Sequence, residues 1–120
     1  MKFTRQTECA IEMLVQLHRR HGKVVRLAKL VSGVDMTFGF ERPVVQRLIA
    51  AGLVKSVQGR NGGYQLGRAR ITLWDIVEAM EGPVRSPRKV GPSVERGYAV
   101  LADRVSKGLG RVSLLALTRE

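Results

Sequence analysis

Ala10, Met13, Leu14 and Leu17 recur at i, i+3, i+4 and i+7, a spacing that gathers them on one face and predicts an amphipathic helix over residues 5–20. Thr4 stands where an N-cap hydroxyl accepts from first-turn amides, and Gly22 is a suitable stop after the basic turn His18, Arg19, Arg20, His21. Leu27, Leu30, Val31 and Val34 predict a short second helix over residues 27–33, with a weak start because Arg26 cannot cap it. Val44, Val45, Leu48 and Ala51 form a third stripe that ends at Gly52. Two starts for that helix stay open. With Thr37 as N-cap and Met36 and Phe40 turned inward, Gly39 and Pro43 fall inside the helix, where a proline loses a backbone bond and clashes one turn back. Alternatively Pro43 is the first helical residue and residues 36–42 are an irregular loop.

The period then changes. Residues 53–58 and 64–67 read as two strands around Gly59-Arg60-Asn61-Gly62-Gly63, a flexible basic hairpin tip. Thr72-Leu73-Trp74-Asp75 is a capping box, and Leu73, Ile76, Val77 and Met80 carry the helix it opens to Gly82-Pro83. Trp74 lies off that stripe, at a contact or half-exposed. Residues 83–97 hold three of the four prolines and read as a mobile linker. Helical spacing returns over residues 98–109 in Leu101, Val105 and Leu109, with Tyr98 and Ala102 alongside, before an apolar tail over residues 112–117. No internal repeat is visible.

Composition narrows the function classes. The chain of 120 residues is 44% hydrophobic, enough for one ordered domain with an extension. Its apolar runs are too short to span a membrane, and the start lacks the apolar stretch of a signal peptide, so a cytoplasmic location is expected. Net charge is +11, and the excess is local: Lys55, Arg60, Arg68 and Arg70 fall within residues 55–70 without one acid. Asp75, Glu78 and Glu81 then form the only acidic patch, on one helix face that solvent alone would explain. A basic hairpin beside an acidic helix suits a polyanion on one side only.

Other chemistry finds little support. Cys9 is the only cysteine, so no internal disulfide and no cluster held by several thiolates of this chain can form; its place beside the first stripe suggests packing. His18 and His21 lack a third metal ligand nearby. Gly62-Gly63 lacks the setting of a nucleotide loop, and no nucleophile–base set or paired carboxylates stand out. The expectation is no enzyme, no metal and no cofactor.

Two helices, a turn and a basic hairpin together outline a DNA reader, in which a helix enters the major groove and the hairpin grips adjacent backbone. The chain also resembles the Rrf-two family of bacterial regulators, which includes the iron–sulfur, nitric-oxide and cysteine-metabolism repressors. The resemblance runs from Met1-Lys2-Phe3-Thr4 to about Pro83, strongest over residues 51–66 (AGLVKSVQGRNGGYQL) and continuing through residues 71–82 (ITLWDIVEAMEG). The expected fold is mainly α with a small β-hairpin wing: a winged helix-turn-helix over residues 1–83, a basic linker over 84–97, and a C-terminal dimerisation helix and tail over 98–120. Expected DNA-binding residues are Thr37, Phe38, Arg42, Gln46 and Arg47 on the reading helix and its lead-in, and Lys55, Gln58, Arg60 and Asn61 on the wing. The resemblance implies a homodimer acting at a palindromic operator, through Tyr98, Leu101, Val105 and Leu109, with the tail packing across the dimer.

The departures from the family pattern carry their own expectations. Sensing members hold three cysteines where this chain has Arg85-Ser86-Pro87-Arg88-Lys89-Val90-Gly91-Pro92, so no iron–sulfur cluster is expected. Gln58 replaces the usual wing Arg, Arg60-Asn61 replaces Pro-Gly, and Arg60 becomes the candidate groove-inserting residue. Glu41 and Pro43 replace an apolar and a polar residue of the reading helix, while Thr37 and Phe40 match a Ser cap and an aromatic. If Pro43 unravels the first turn, base reading is lost. Two rivals then follow: a protein-interaction module working through the dimerisation surface, or sequence-indifferent nucleic-acid binding.

Overall fold

The computed structural model describes residues 1–32, 39 and 41–119. Thr37 and Phe38 of the expected DNA-binding set, and Val34, Met36 and Phe40 of the predicted stripes, lie outside the described residues.

Helix α1 spans Arg5–Arg19, and the Thr4 side chain accepts from the Thr7 amide as its cap. Helix α2 is a single turn, Leu27–Leu30, whose N-cap Arg26 makes no side-chain cap bond. Helix α3 spans Glu41–Ala50: Pro43 is not its first residue, Gly39 at φ +97 is outside it, and the Thr37 cap lies outside the described residues. Pro43 is the third residue of the element, within the first turn, where amides have no intrahelical acceptor, so it removes no bond.

The exit from α3 follows from Ala51-Gly52-Leu53. Gly52 adopts φ +76, a left-handed conformation that glycine enters without a Cβ penalty. Its amide donates to Ile49 O at 3.0 Å, and the Leu53 amide donates to Leu48 O at 2.9 Å. This pair of bonds is the Schellman closure, and the accompanying apolar contact is supplied by Leu48 and Leu53, both buried in the core. The chain is thereby turned straight into β1 (Val54–Val57), which pairs antiparallel with β2 (Gly63–Leu66) in the register Val54–Leu66 to Val57–Gly63.

Helix α4, Leu73–Glu81, has the predicted capping box: the Asp75 amide donates to Thr72 Oγ1 and the Thr72 amide to Asp75 Oδ2. Helix α5 spans Pro92–Leu109, six residues more than the periodicity indicates. Pro92 and Gly91 look like linker residues but act as N1 and N-cap, where fixed φ and a missing N–H cost nothing. A last helix, α6, covers Leu114–Thr118.

One core joins all of these elements except α5. Ala10, Met13, Leu14 and Leu17 of α1 meet Val44, Val45 and Leu48 of α3, Ile76 and Met80 of α4, and Leu30, Leu53 and Val54. Each fully buried aliphatic side chain contributes about 1.5–3 kcal/mol of transfer free energy. The tail departs from expectation. The Leu114 amide donates to Ile71 O and the Leu73 amide to Val112 O, both at 2.8 Å, and Leu114 enters the same core. Its α6 packs on α1 of its own chain, because those two bonds bring the chain back beside the start of α4.

Candidate nucleic-acid interface

Helix α3 buries Val44, Val45 and Leu48, which leaves Arg42 and Gln46, four residues apart and so on one face, exposed on its other side. Arg47 is also exposed, but its Nη1 donates to Met80 O at 2.8 Å. That carbonyl lies in the last turn of α4, where a cation meets the negative end of the helix dipole. Arg47 thus holds α3 against α4 with one donor.

On the wing, Lys55, Gln58, Arg60 and Asn61 are all exposed. The tip is closed by the Gly62 amide donating to Gly59 O at 3.0 Å, and Gln58 Nε2 donates to Ser56 Oγ at 3.1 Å. The sheet has a third participant. Val25 exchanges both backbone bonds with Tyr64, at 2.7 and 2.8 Å, so the segment before α2 is sewn to β2. Gly63 permits this approach, since a Cβ there would stand 2.5 Å from Val25 O. Arg26 Nη2 then donates to Arg60 O at the tip, at 2.9 Å. Neither Val25 nor Arg26 stands out in the sequence as part of the wing; the weak cap at Arg26 is the only signal.

Two of the three acids on α4 have structural partners. Asp75 pairs with Arg68 at 2.8 Å, tying the return from the wing to α4. Burial pushes its carboxyl up, but hydrogen bonds from Thr72 and the Arg68 guanidinium outweigh this and hold it below the usual value. Glu81 accepts from Thr7 Oγ1 at 2.7 Å and from the Thr4 amide at 3.4 Å, joining the end of α4 to the start of α1. Thr7 itself is fully buried. Glu78 and Glu81 are exposed, as a solvated face requires, but Glu81 also ties α4 to α1 and Asp75 ties it to the return from the wing.

Helix α5 contributes no buried residue. Leu101 is 42%, Val94 49% and Val100 54% exposed; Tyr98, Val105 and Leu109 are partly covered. Leu101, Val105 and Leu109 line one side of a groove of about 600 Å³, and Phe3, Val77 and Pro83 line the other. A shallower recess of about 300 Å³ lies along Val94, Gly97, Tyr98 and Leu101. Among the described residues no helix is long and apolar enough to cross a membrane.

Residues 3–116 match the Rrf2 family, described as an iron-dependent transcriptional regulator. The chain belongs to the Rrf2 family. It is 36% identical over 83 residues to Protein aau3 of Rhizobium meliloti, covering 68% of this chain and 54% of that protein. It is 32% identical over 93 residues to the HTH-type transcriptional regulator CymR of Bacillus subtilis, covering 75% of this chain and 67% of that one. The solved structure of CymR, titled the global cysteine regulator of B. subtilis, superimposes with a TM-score of 0.78 at 26% identity, over 98% of this chain and 96% of that one. The chain spans about half to two thirds of the length of these curated relatives. The α1–α4 core with its hairpin is thus the family's winged helix, and the family is one of regulators and not of enzymes.

Proposed function

We propose that this Rrf2 chain binds double-stranded DNA as a homodimer and regulates transcription without an iron–sulfur cluster. The observation that carries this reading is the unbroken passage from α3 through Gly52 into a hairpin sewn to Val25, with Arg42 and Gln46 exposed on the helix and Lys55, Gln58, Arg60 and Asn61 on the wing. Arg42 and Gln46 reach base edges, and the wing cations meet phosphates; Arg47 chiefly anchors the reading helix. Gly39 and Pro43 favour a module that has lost base reading, and the place of Pro43 in the first turn of α3, where it removes no intrahelical bond, weighs against that rival.

A second copy is the natural cover for α5. Its own chain covers its apolar residues only in part and buries none of them, and a helix of 18 residues offers about 27 Å of contact along its axis. Tyr98, Leu101, Val105 and Leu109 supply that contact, placing two reading helices at half-sites about one DNA turn apart.

The family's description as iron-dependent makes a bound iron group the natural expectation, and the donor set here does not fit one. Residues 82–94, between the acidic helix and the body of α5, contain no Cys, His, Asp or Glu. Cys9 is buried in α1, and the described residues contain no group of three or more such side chains able to hold a metal.

The test is fluorescence anisotropy against the chain's own promoter region and a scrambled duplex across a salt series. A preference of about 10³-fold with a steep salt slope is expected for a specific regulator. Equal affinity for both duplexes would reduce the protein to a phosphate binder, and no binding would turn attention to a protein partner. DNA affinity is expected to ignore iron, nitric oxide and oxygen.

A further inference from the structure

Arg26 is out of place as a helix cap. It occupies the N-cap of α2, makes no cap bond, and sets a cation at the positive end of the helix. Its side chain instead reaches Arg60 O at the wing tip, 34 residues ahead in sequence. The neighbouring residue, Val25, holds the tip end of β2 through its paired bonds to Tyr64. The hairpin is therefore held from one dipeptide at two points: backbone at the tip end of β2, a guanidinium on the turn itself.

We propose that Arg26 is a positioning residue that fixes the wing tip, and with it Arg60, relative to the helix-turn-helix. Without the latch, the tip from Gly59 to Gly62 has only its own turn bond, and two of its four residues are glycines. With it, the tip carbonyl is fixed from the α2 side, so Arg60 is presented to DNA from a pre-set turn. A pre-set turn loses less conformational freedom on binding. Arg26 was free to be a serine or threonine cap for α2; the guanidinium trades that local bond for a long-range one.

The DNA arm of the test rests on the proposed function, and the DNA-free arm does not. In the full-length protein without DNA, amide exchange at Gly62 reports the tip turn and exchange at Tyr64 reports the strand bond to Val25. Arg26→Ala is expected to speed Gly62 exchange about three- to tenfold, the scale of one lost hydrogen bond, and to leave Tyr64 unchanged. Unchanged Gly62 exchange would overturn the latch. In the DNA arm, Arg26→Ala is expected to weaken promoter binding, and to weaken it much less when Arg60 is already alanine. Equal losses in both backgrounds would make Arg26 an independent phosphate contact and overturn its positioning role. If the wild-type protein binds no DNA, the proposed function fails and the exchange result alone decides the latch.

Discussion

The winged-helix body and helix α5 are both amphipathic, yet they use their apolar side chains in opposite ways. In α3 the stripe Val44, Val45, Leu48 is sealed from solvent, and Leu48 also closes the Schellman turn that launches the wing. In α5 the equivalent spacing leaves Leu101 and Val94 nearly half exposed and buries nothing. The body is a finished core, whereas α5 adds no buried residue to it. Stability of the body is intramolecular, and burial of α5 depends on concentration if a second copy supplies it.

The contrast is broken most severely at Leu48. Leu48→Ala is expected to cost about 2–5 kcal/mol through the cavity and the lost helix exit, seen as a large drop in the midpoint of chemical unfolding. The matching change in α5, Leu101→Asp, is expected to leave the unfolding midpoint of dilute protein nearly unchanged while light scattering reports loss of the dimer. If Leu101→Asp unfolds the body instead, α5 belongs to the core and the contrast is wrong.

Smaller effects sharpen the same comparison. Gly52→Ala places a Cβ at φ +76 with nothing nearby to clash, so its cost is conformational, about 1 kcal/mol, and the wing should remain folded. Thr72→Ala removes one half of the capping box of α4 and is expected to cost about 1 kcal/mol by thermal unfolding.

The smallest effect is set by pH. Asp75 is held below its ordinary value in the folded protein, so it binds protons more readily when unfolded. Its contribution is present above the unfolded value and is lost as pH falls through the folded one. Asp75→Asn should therefore flatten the acid limb of the stability curve and leave the slope near neutrality unchanged. An unaltered acid limb would mean that the Arg68 pair adds nothing there.

Local pattern went a long way here. The stripe of α1, its Thr4 cap, the hairpin and the Thr72–Asp75 box are contained in windows of a few residues, and each was readable because its physics is local. Pro92 is ambiguous in sequence, since a proline that starts a helix and one that interrupts a loop look alike until the following turn is seen. Leu114 is ambiguous in another way: an apolar tail advertises that it will be buried and does not say where.

Sequence alone determined that this chain makes an amphipathic three-helix unit followed by a basic hairpin, that it belongs with a family of regulators, and that it carries one cysteine. Tertiary structure alone decided the long-range partners: Val25 with Tyr64, Arg26 with the wing tip, Arg47 with Met80, Thr7 with Glu81, and Leu114 with the core. The reason is separation. A cap or a turn closes within four residues and leaves a signature in composition, whereas a side chain reaching a backbone carbonyl 30 residues or more away asks nothing of the residue that carries it.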